Sequence, residues 1–421
     1  MKNLPKRVKY RIADLLSLDK MSGRFHILSL NYIFAMVYYT VETVFVNTLL
    51  YRVTPDISIV ILYRVIVYIS CAVAMNAAAY LAHTYSPVAV LKIGSFLYVF
   101  MYAALFFGMD YMQVMMYPAA VLSGLGYGFY WSGHNVLLTH YTSRQNREVG
   151  VGILGIIQGV ITLFVPMSSG IVIQFMPGNS GYRVMFGLAI ASVLGQLYYQ
   201  KKLVTVEQNR PESQFRLAFR LLRRKASCQL MLAFEFIRGF RDGTFLFFLN
   251  VLLFKIISDE ALVGVNTFLT GMLSIIGSWA YGRLTTGRLR ARNAFFATTL
   301  LLAFCVLLFW RLTVWSVMLF AGFNSFFQLF ITYSCYNTSY DILGENAVTR
   351  QAMAELIGFR EFAVDAGRVL GLFCVLLFPA TDIGRIQAMC VLTATQYIAV
   401  FLLVLAQRVL DHKQVQHEAI L

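Results

Sequence analysis

The chain has 421 residues, of which 59% are hydrophobic and 13% charged, against roughly 45–50% and 25% in an ordinary soluble domain. With a formal charge of +15 and repeated apolar runs long enough to cross a bilayer, the chain is built for hydrocarbon as solvent. A soluble globule, a disordered chain, a coiled coil and a collagen are excluded, and nucleic acid is not needed to explain the charge.

The chain opens on a basic segment, 1–25, in which Val8, Ile12, Leu15 and Leu16 recur at helical spacing beside Lys6, Arg7, Lys9 and Arg11. This pattern predicts an amphipathic helix on the cytoplasmic leaflet. A transmembrane helix needs about 20 apolar residues. Polar breaks divide the rest of the chain into such stretches at 26–51, 58–82, 88–108, 112–138, 149–175, 182–200, 227–254, 261–282, 293–310, 313–337, 350–378 and 386–407. The first is far longer than a signal-peptide core of roughly 7–15 residues, so it reads as a retained span. None alternates with period two, which leaves helices rather than a closed barrel.

The expected fold is therefore an all-α polytopic membrane protein of twelve transmembrane helices. Its six-helix bundles fall at 26–200 and 227–408, joined by a basic linker at 201–226 and followed by a cytoplasmic tail at 409–421. In the linker, Phe215, Phe219 and Leu222 alternate with Arg216, Arg220, Arg223 and Arg224, a second amphipathic helix suited to anionic lipid of the inner leaflet. If the N-terminus is cytoplasmic, 25 of the 35 Lys and Arg fall in inner segments and five in outer loops (Arg52, Arg183, Lys255, Arg311, Arg385). That asymmetry places both termini inside.

The sequence repeats at an offset of about 203 residues. NTLLYRVTPD from Asn47 returns as NVLLFKIISD from Asn250, WSGHN from Trp131 as YSCYN from Tyr333, and REVGVGILGIIQ from Arg147 as RQAMAELIGFRE from Arg350, with Gly155 over Gly358. Six spans per half preserve orientation, so the repeat is parallel about an axis along the membrane normal. Such repeats occur in carriers that alternate access around a midplane site.

Over essentially its full length the sequence resembles the major facilitator superfamily. The loop after the eighth span, YGRLTTGRLRAR (Tyr281 to Arg292), keeps Gly282, Leu284, Gly287, Arg288 and Arg290 of that family's signature, and the loop after the second keeps Leu81 and Lys92. The family's loop aspartate is replaced by His83 and Thr286, which speaks against the usual charge latch between the halves and against the best-known sugar and drug branches. Pro166 and Gly170 in VPMSSG are faintly similar to the antiporter motif. The resemblance implies that spans 1, 4, 7 and 10 line a cavity, that 2, 5, 8 and 11 flank it, and that 3, 6, 9 and 12 face lipid.

Eleven ionisable side chains lie within the spans: Glu42, Arg64, Glu235, Arg238, Arg241, Asp242, Glu355, Arg360, Glu361, Asp365 and Arg368. Facing lipid they would cost on the order of 30 kcal/mol at about 2.5–3.5 kcal/mol each. All sit in spans 1, 2, 7 and 11, as the implied layout requires. Glu235, Arg238 and Asp242 share one helix face, as do Glu361, Asp365 and Arg368. Two carboxylates one turn apart in a dry bundle can hold and release a proton, so the proton-coupling candidates are Glu42, Glu235, Asp242, Glu361, Asp365 and, through its imidazole, His134. Glu42 has no neutralising neighbour in its own helix; its partner is Arg64 or an arginine of span 7 or 11. Arg64, Arg238, Arg241, Arg360 and Arg368 are the candidates for binding an anionic group. Tyr39, Tyr130, Trp131, Asn135, Tyr333 and Asn337 add an aromatic and polar lining that suits an amphipathic solute.

The six cysteines, Cys71, Cys228, Cys305, Cys335, Cys374 and Cys390, form no CxxC pair and read as core residues rather than a disulfide or zinc framework. No phosphate-binding loop, HExxH or GxSxG is present; GLGYG (Gly124 to Gly128) lies inside a span and reads as a close helix contact. The sequence thus predicts no enzyme, metal or cofactor, but a monomeric, proton-coupled secondary transporter of a small anionic or amphipathic organic solute in the cell membrane. A lipid or glycolipid flippase on the same fold is the alternative, and a channel or intramembrane enzyme a remoter one.

Overall fold

The computed structural model describes residues 21–46, 49–50, 57–177, 179–204, 214–256, 260–310, 312–379 and 381–418. Among them are twelve helices of at least 19 residues: α1 (Gly23–Val41), α2 (Ile57–Thr84), α3 (Pro87–Phe107), α4 (Met112–Tyr141), α5 (Arg147–Phe175), α6 (Ser180–Gln200), α7 (Ala226–Ile256), α8 (Glu260–Leu284), α9 (Arg290–Trp310), α10 (Val314–Leu343), α11 (Met353–Leu376) and α12 (Asp382–Glu418). Shorter helices cover Phe215–Arg224 and Ala347–Gln351, and α1 runs on into a π turn at Glu42–Val46. The amphipathic segment around Val8 and most of the repeat at Asn47 to Asp56 lie outside the described residues.

Local chemistry fixes the helix starts. Ser22 accepts the Phe25 N–H at 3.2 Å and Ser86 the Ala89 N–H at 3.3 Å, with Pro87 in the first helical position, where no N–H is missed. Thr313 and Ser316 form a reciprocal capping box, as do Asn346 and Thr349. The latter box starts a short separate helix, and the stretch expected at 350–378 is broken at Ala352, whose backbone (φ −103°, ψ 22°) leaves the helical region. At the other extreme α12 continues through most of the expected tail to Glu418, since nothing after Gln407 is Gly or Pro.

Among the described residues, six helices, α2, α3, α5, α9, α10 and α12, are long and apolar enough to cross a membrane by length and composition alone. Helices α7 and α11 fall outside that group, and they are the two that carry the charged stripes.

The packing repeats with the sequence. Helix α4 packs on α2 and α3, α1 on α5 and α6, and α3 on α6. Adding six to each number gives α10 on α8 and α9, α7 on α11 and α12, and α9 on α12, all of which are present. Two further seams, α5 against α8 and α2 against α11, exchange under the same renumbering. Gly155 on α5 meets Ser278 of α8, and Gly358 on α11 meets Met75 and Asn76 of α2; 203 residues separate Gly155 from Gly358 and Met75 from Ser278.

The GLGYG glycines are contact surfaces, as their place in the span predicts. A Cβ on Gly124 would collide with the Val67 carbonyl oxygen of α2, and one on Gly128 would lie 2.6 Å from the Ala74 Cβ. Helix Phe215–Arg224 lies against the start of α11. There Ala218 is buried, the Phe215 ring meets Phe359 edge-on at 6.1 Å, and the Gln214 N–H donates to Glu355 at 2.7 Å. All four of its arginines stay exposed.

Candidate functional site: charge pairs between packed helices

Each intramembrane charge has a defined place. On α7, Arg238 donates to Glu235 through Nε at 2.6 Å and to Asp242 through Nη1, so the i, i+3, i+7 stripe closes into an acid–base–acid ladder. Neutral groups of α10 hold both acids: Ser339 donates to Glu235 at 2.7 Å and Gln328 to Asp242 at 2.9 Å. Tyr336, also of α10, lies with its ring 4.5 Å from the Arg238 guanidinium.

On α11 the two acids each take their own arginine. Arg360 bonds to Glu361, and Arg368 donates to Asp365 at 2.8 Å. Arg360 does not point away from the stripe, as its helical angle predicts, because its long arm turns back to the adjacent carboxylate. The Arg368 guanidinium lies 5.6 Å from the Tyr68 ring of α2, across one of the two seams.

Glu42 finds its partner within α2. Arg64 approaches it at 3.6 Å, while Ser123 of α4 donates to it at 2.7 Å and Tyr98 of α3 at 3.4 Å. The Tyr39 ring packs against Tyr127 at 5.4 Å and Tyr127 against Trp131 at 5.7 Å, an aromatic run from α1 into α4.

The remaining candidates are placed elsewhere. Arg241 is buried among α7, α10 and α12, where it bonds to Thr393, Gln328 and Asn324 with the Phe245 ring 3.8 Å from its guanidinium. His134 is buried among the rings of Tyr32, Tyr130 and Trp131 at 5.3, 5.7 and 5.1 Å, and neither of its nitrogens has a hydrogen-bond partner. Asn135 accepts from Tyr340 at 2.8 Å, Asn337 donates to Tyr281 at 2.8 Å, and the Tyr333 and Ser278 hydroxyls are 3.3 Å apart. These three polar contacts tie the helices together near one end of the molecule.

At that end lies a network the sequence reading did not anticipate. Arg290 at the start of α9 donates to Glu148 of α5 and, through Nη1 at 2.6 Å, to Asp341 at the end of α10. Arg147 also bonds to Asp341, and Arg144 approaches it at 3.4 Å. A charged link therefore joins α5 and the turn before it to α9 and α10 even though His83 and Thr286 replace the expected loop aspartate. Arg290 is the last arginine of the YGRLTTGRLR signature, which was the signal available; Asp341 carries no motif of its own.

A family model described as Major Facilitator Superfamily matches residues 27–372. Among curated relatives, the uncharacterized protein YqgE of Bacillus subtilis (strain 168) is 24% identical over 348 residues, 81% of this chain and 80% of that one. An uncharacterized protein in the sodM 3′ region of Geobacillus stearothermophilus is 31% identical over 156 residues, 37% of this chain and 72% of that one. Among solved structures, the human organic anion transporter MFSD10 (TETRAN) superimposes with a TM-score of 0.72 at 14% identity, covering 91% of this chain and 100% of that one. A bacterial homologue of the iron transporter ferroportin in the outward-facing state gives 0.69 at 14% (92% and 99%), and the E. coli fucose:proton symporter FucP gives 0.70 at 11% (92% and 98%). These likenesses are of fold. With the family model spanning most of the chain and the helices packed as described, the chain belongs to the Major Facilitator Superfamily and is a membrane transport protein.

Proposed function

We propose that the protein is a proton-coupled secondary transporter of a small organic solute, anionic or amphipathic, working by alternating access. All twelve long helices then cross the membrane, with both termini cytoplasmic. The six-helix bundles at 26–200 and 227–408 rock as a monomer about the α5/α8 and α2/α11 seams. The protein resides in the cell membrane, and the exposed arginines of Phe215–Arg224 rest on anionic lipid of the inner leaflet.

The observation that carries the reading is the concentration of acid–arginine pairs on α7 and α11, with the Asp242 and Glu361 side chains 14% and 9% exposed. An acid beside an arginine and within reach of water can trade its arginine for a proton or for solute, which is the exchange that coupling needs. Glu235 and Glu42 are sealed from solvent and serve instead to hold Arg238 and Arg64.

The test is flux in proteoliposomes under an imposed pH gradient, with a panel of organic anions, drugs and lipids. Uptake of at least one organic anion should follow the gradient and collapse with a protonophore, and Asp242→Asn and Glu361→Gln should abolish the gradient's effect. Unchanged gradient-driven flux in both variants overturns the coupling assignment.

A further inference from the structure

Four of the charge pairs differ in which member solvent reaches; in the fifth, Glu235–Arg238, both are sealed. On the α2 and α11 wall it is the base: Arg64 is 19% exposed against 1% for Glu42, and Arg368 12% against 4% for Asp365. On α7, and one turn earlier on α11, the order reverses. Asp242 is 14% exposed above a sealed Arg238, and Glu361 is 9% exposed above a sealed Arg360.

We propose that this polarity selects a dipolar solute, one carrying both a carboxylate-type anion and a protonated amine. The inference rests on the transport reading and sharpens its substrate class. Arg64 stands 3.6 Å from Glu42, beyond good hydrogen-bond distance, so its donors remain available. Arg368 gives only Nη1 to Asp365, and its buried Nε has no partner. A planar guanidinium with spare donors fits a carboxylate. At the other pole the carboxylates of Asp242 and Glu361 accept an ammonium. A solute of single charge satisfies one pole and desolvates the other without compensation, whereas a dipole satisfies both. Glu361 and Arg368 are seven residues apart on α11, roughly 10 Å along the axis, so the dipole can be compact or extended. The Tyr39, Tyr127 and Trp131 rings offer its apolar body a surface.

The test uses two matched sets on the full-length protein in detergent: phenylalanine, 3-phenylpropionate and phenethylamine; and 6-aminohexanoate, hexanoate and hexylamine. Affinity is read from the concentration dependence of thermal stabilisation. In at least one set the dipolar member should bind tenfold or more tighter than both of its singly charged counterparts, the range that charge-assisted hydrogen bonds supply. Arg368→Gln should erase the preference over the amine, Asp242→Asn the preference over the acid, and Arg368→Lys should retain most of it, which separates loss of charge from loss of fold. If neither dipolar member exceeds its counterparts, or a variant weakens all three members of a set equally, the proposal is overturned. Gradient-driven flux of a singly charged acid without preference for its dipolar counterpart would overturn it too, and would leave the transport reading standing.

Discussion

Arg290 grips one carboxylate oxygen of Glu148 with two N–H donors, Nε at 3.0 Å and Nη2 at 2.6 Å, across 142 residues of sequence. Its third contact is to Asp341, which faces Arg147 and Arg144 as well. Replacing Asp341 with Asn leaves three guanidinium groups converging on a neutral amide. The expected cost is about 3–5 kcal/mol, typical of a buried pair stripped of one partner. Asp411→Asn, which removes only an exposed contact to Arg144, should cost within about 1 kcal/mol. Thermal melts of the two variants should differ accordingly, and cysteine labelling at this end should rise in Asp341→Asn alone.

Glu42 and Arg64 form a second test of pairing. Glu42→Ala strands the arginine and leaves the Ser123 and Tyr98 hydroxyls without their acceptor, for a loss of roughly 3 kcal/mol. Glu42→Gln keeps an acceptor oxygen and should lose less. In a double-mutant cycle, Glu42→Gln with Arg64→Gln should be more stable than the sum of the single changes; strict additivity would show that the 3.6 Å approach carries no energy.

His134 supplies a prediction of the opposite sign. Its ring packs against three aromatics while both nitrogens go unsatisfied, so the imidazole contributes shape and incurs a polar desolvation cost. His134→Phe should leave the melting temperature equal or higher and leave the pH dependence of flux in place. A flattened pH profile in this variant would make His134 part of the proton path.

Backbone contact between α7 and α11 depends on missing side chains. A Cβ on Gly239 collides with the Val364 carbonyl oxygen, whereas Gly23 has nothing within 4 Å. Gly239→Ala should therefore destabilise by about 1–3 kcal/mol through overpacking. Gly23→Ala, at the first turn of α1, should change stability by less than about 1 kcal/mol.

What the sequence disclosed follows a physical division. The twelve long helices were legible because the sequence falls into long, largely apolar runs, six of them apolar enough in the described residues to cross a membrane, and the charges on α7 and α11 because charge within such runs is costly and rarely incidental. The partner of Glu42 narrowed to a few arginines for the same reason. The Asp341 network was illegible: Arg147 lies 194 residues from Asp341 in sequence, and no local pattern encodes which helix ends meet. Which member of a pair turns toward water, the basis of the dipolar proposal, depends on neighbours from four helices. The break at Ala352 escaped because an alanine carries no stop signal.

The α5/α8 and α2/α11 seams are images of one another, so a single self-complementary patch is used twice, as in a two-fold homodimer. Cohesion between the two parts then owes little to the covalent connection at 205–213. Fragments 1–204 and 214–421 made in one cell should find each other and restore the same assembly.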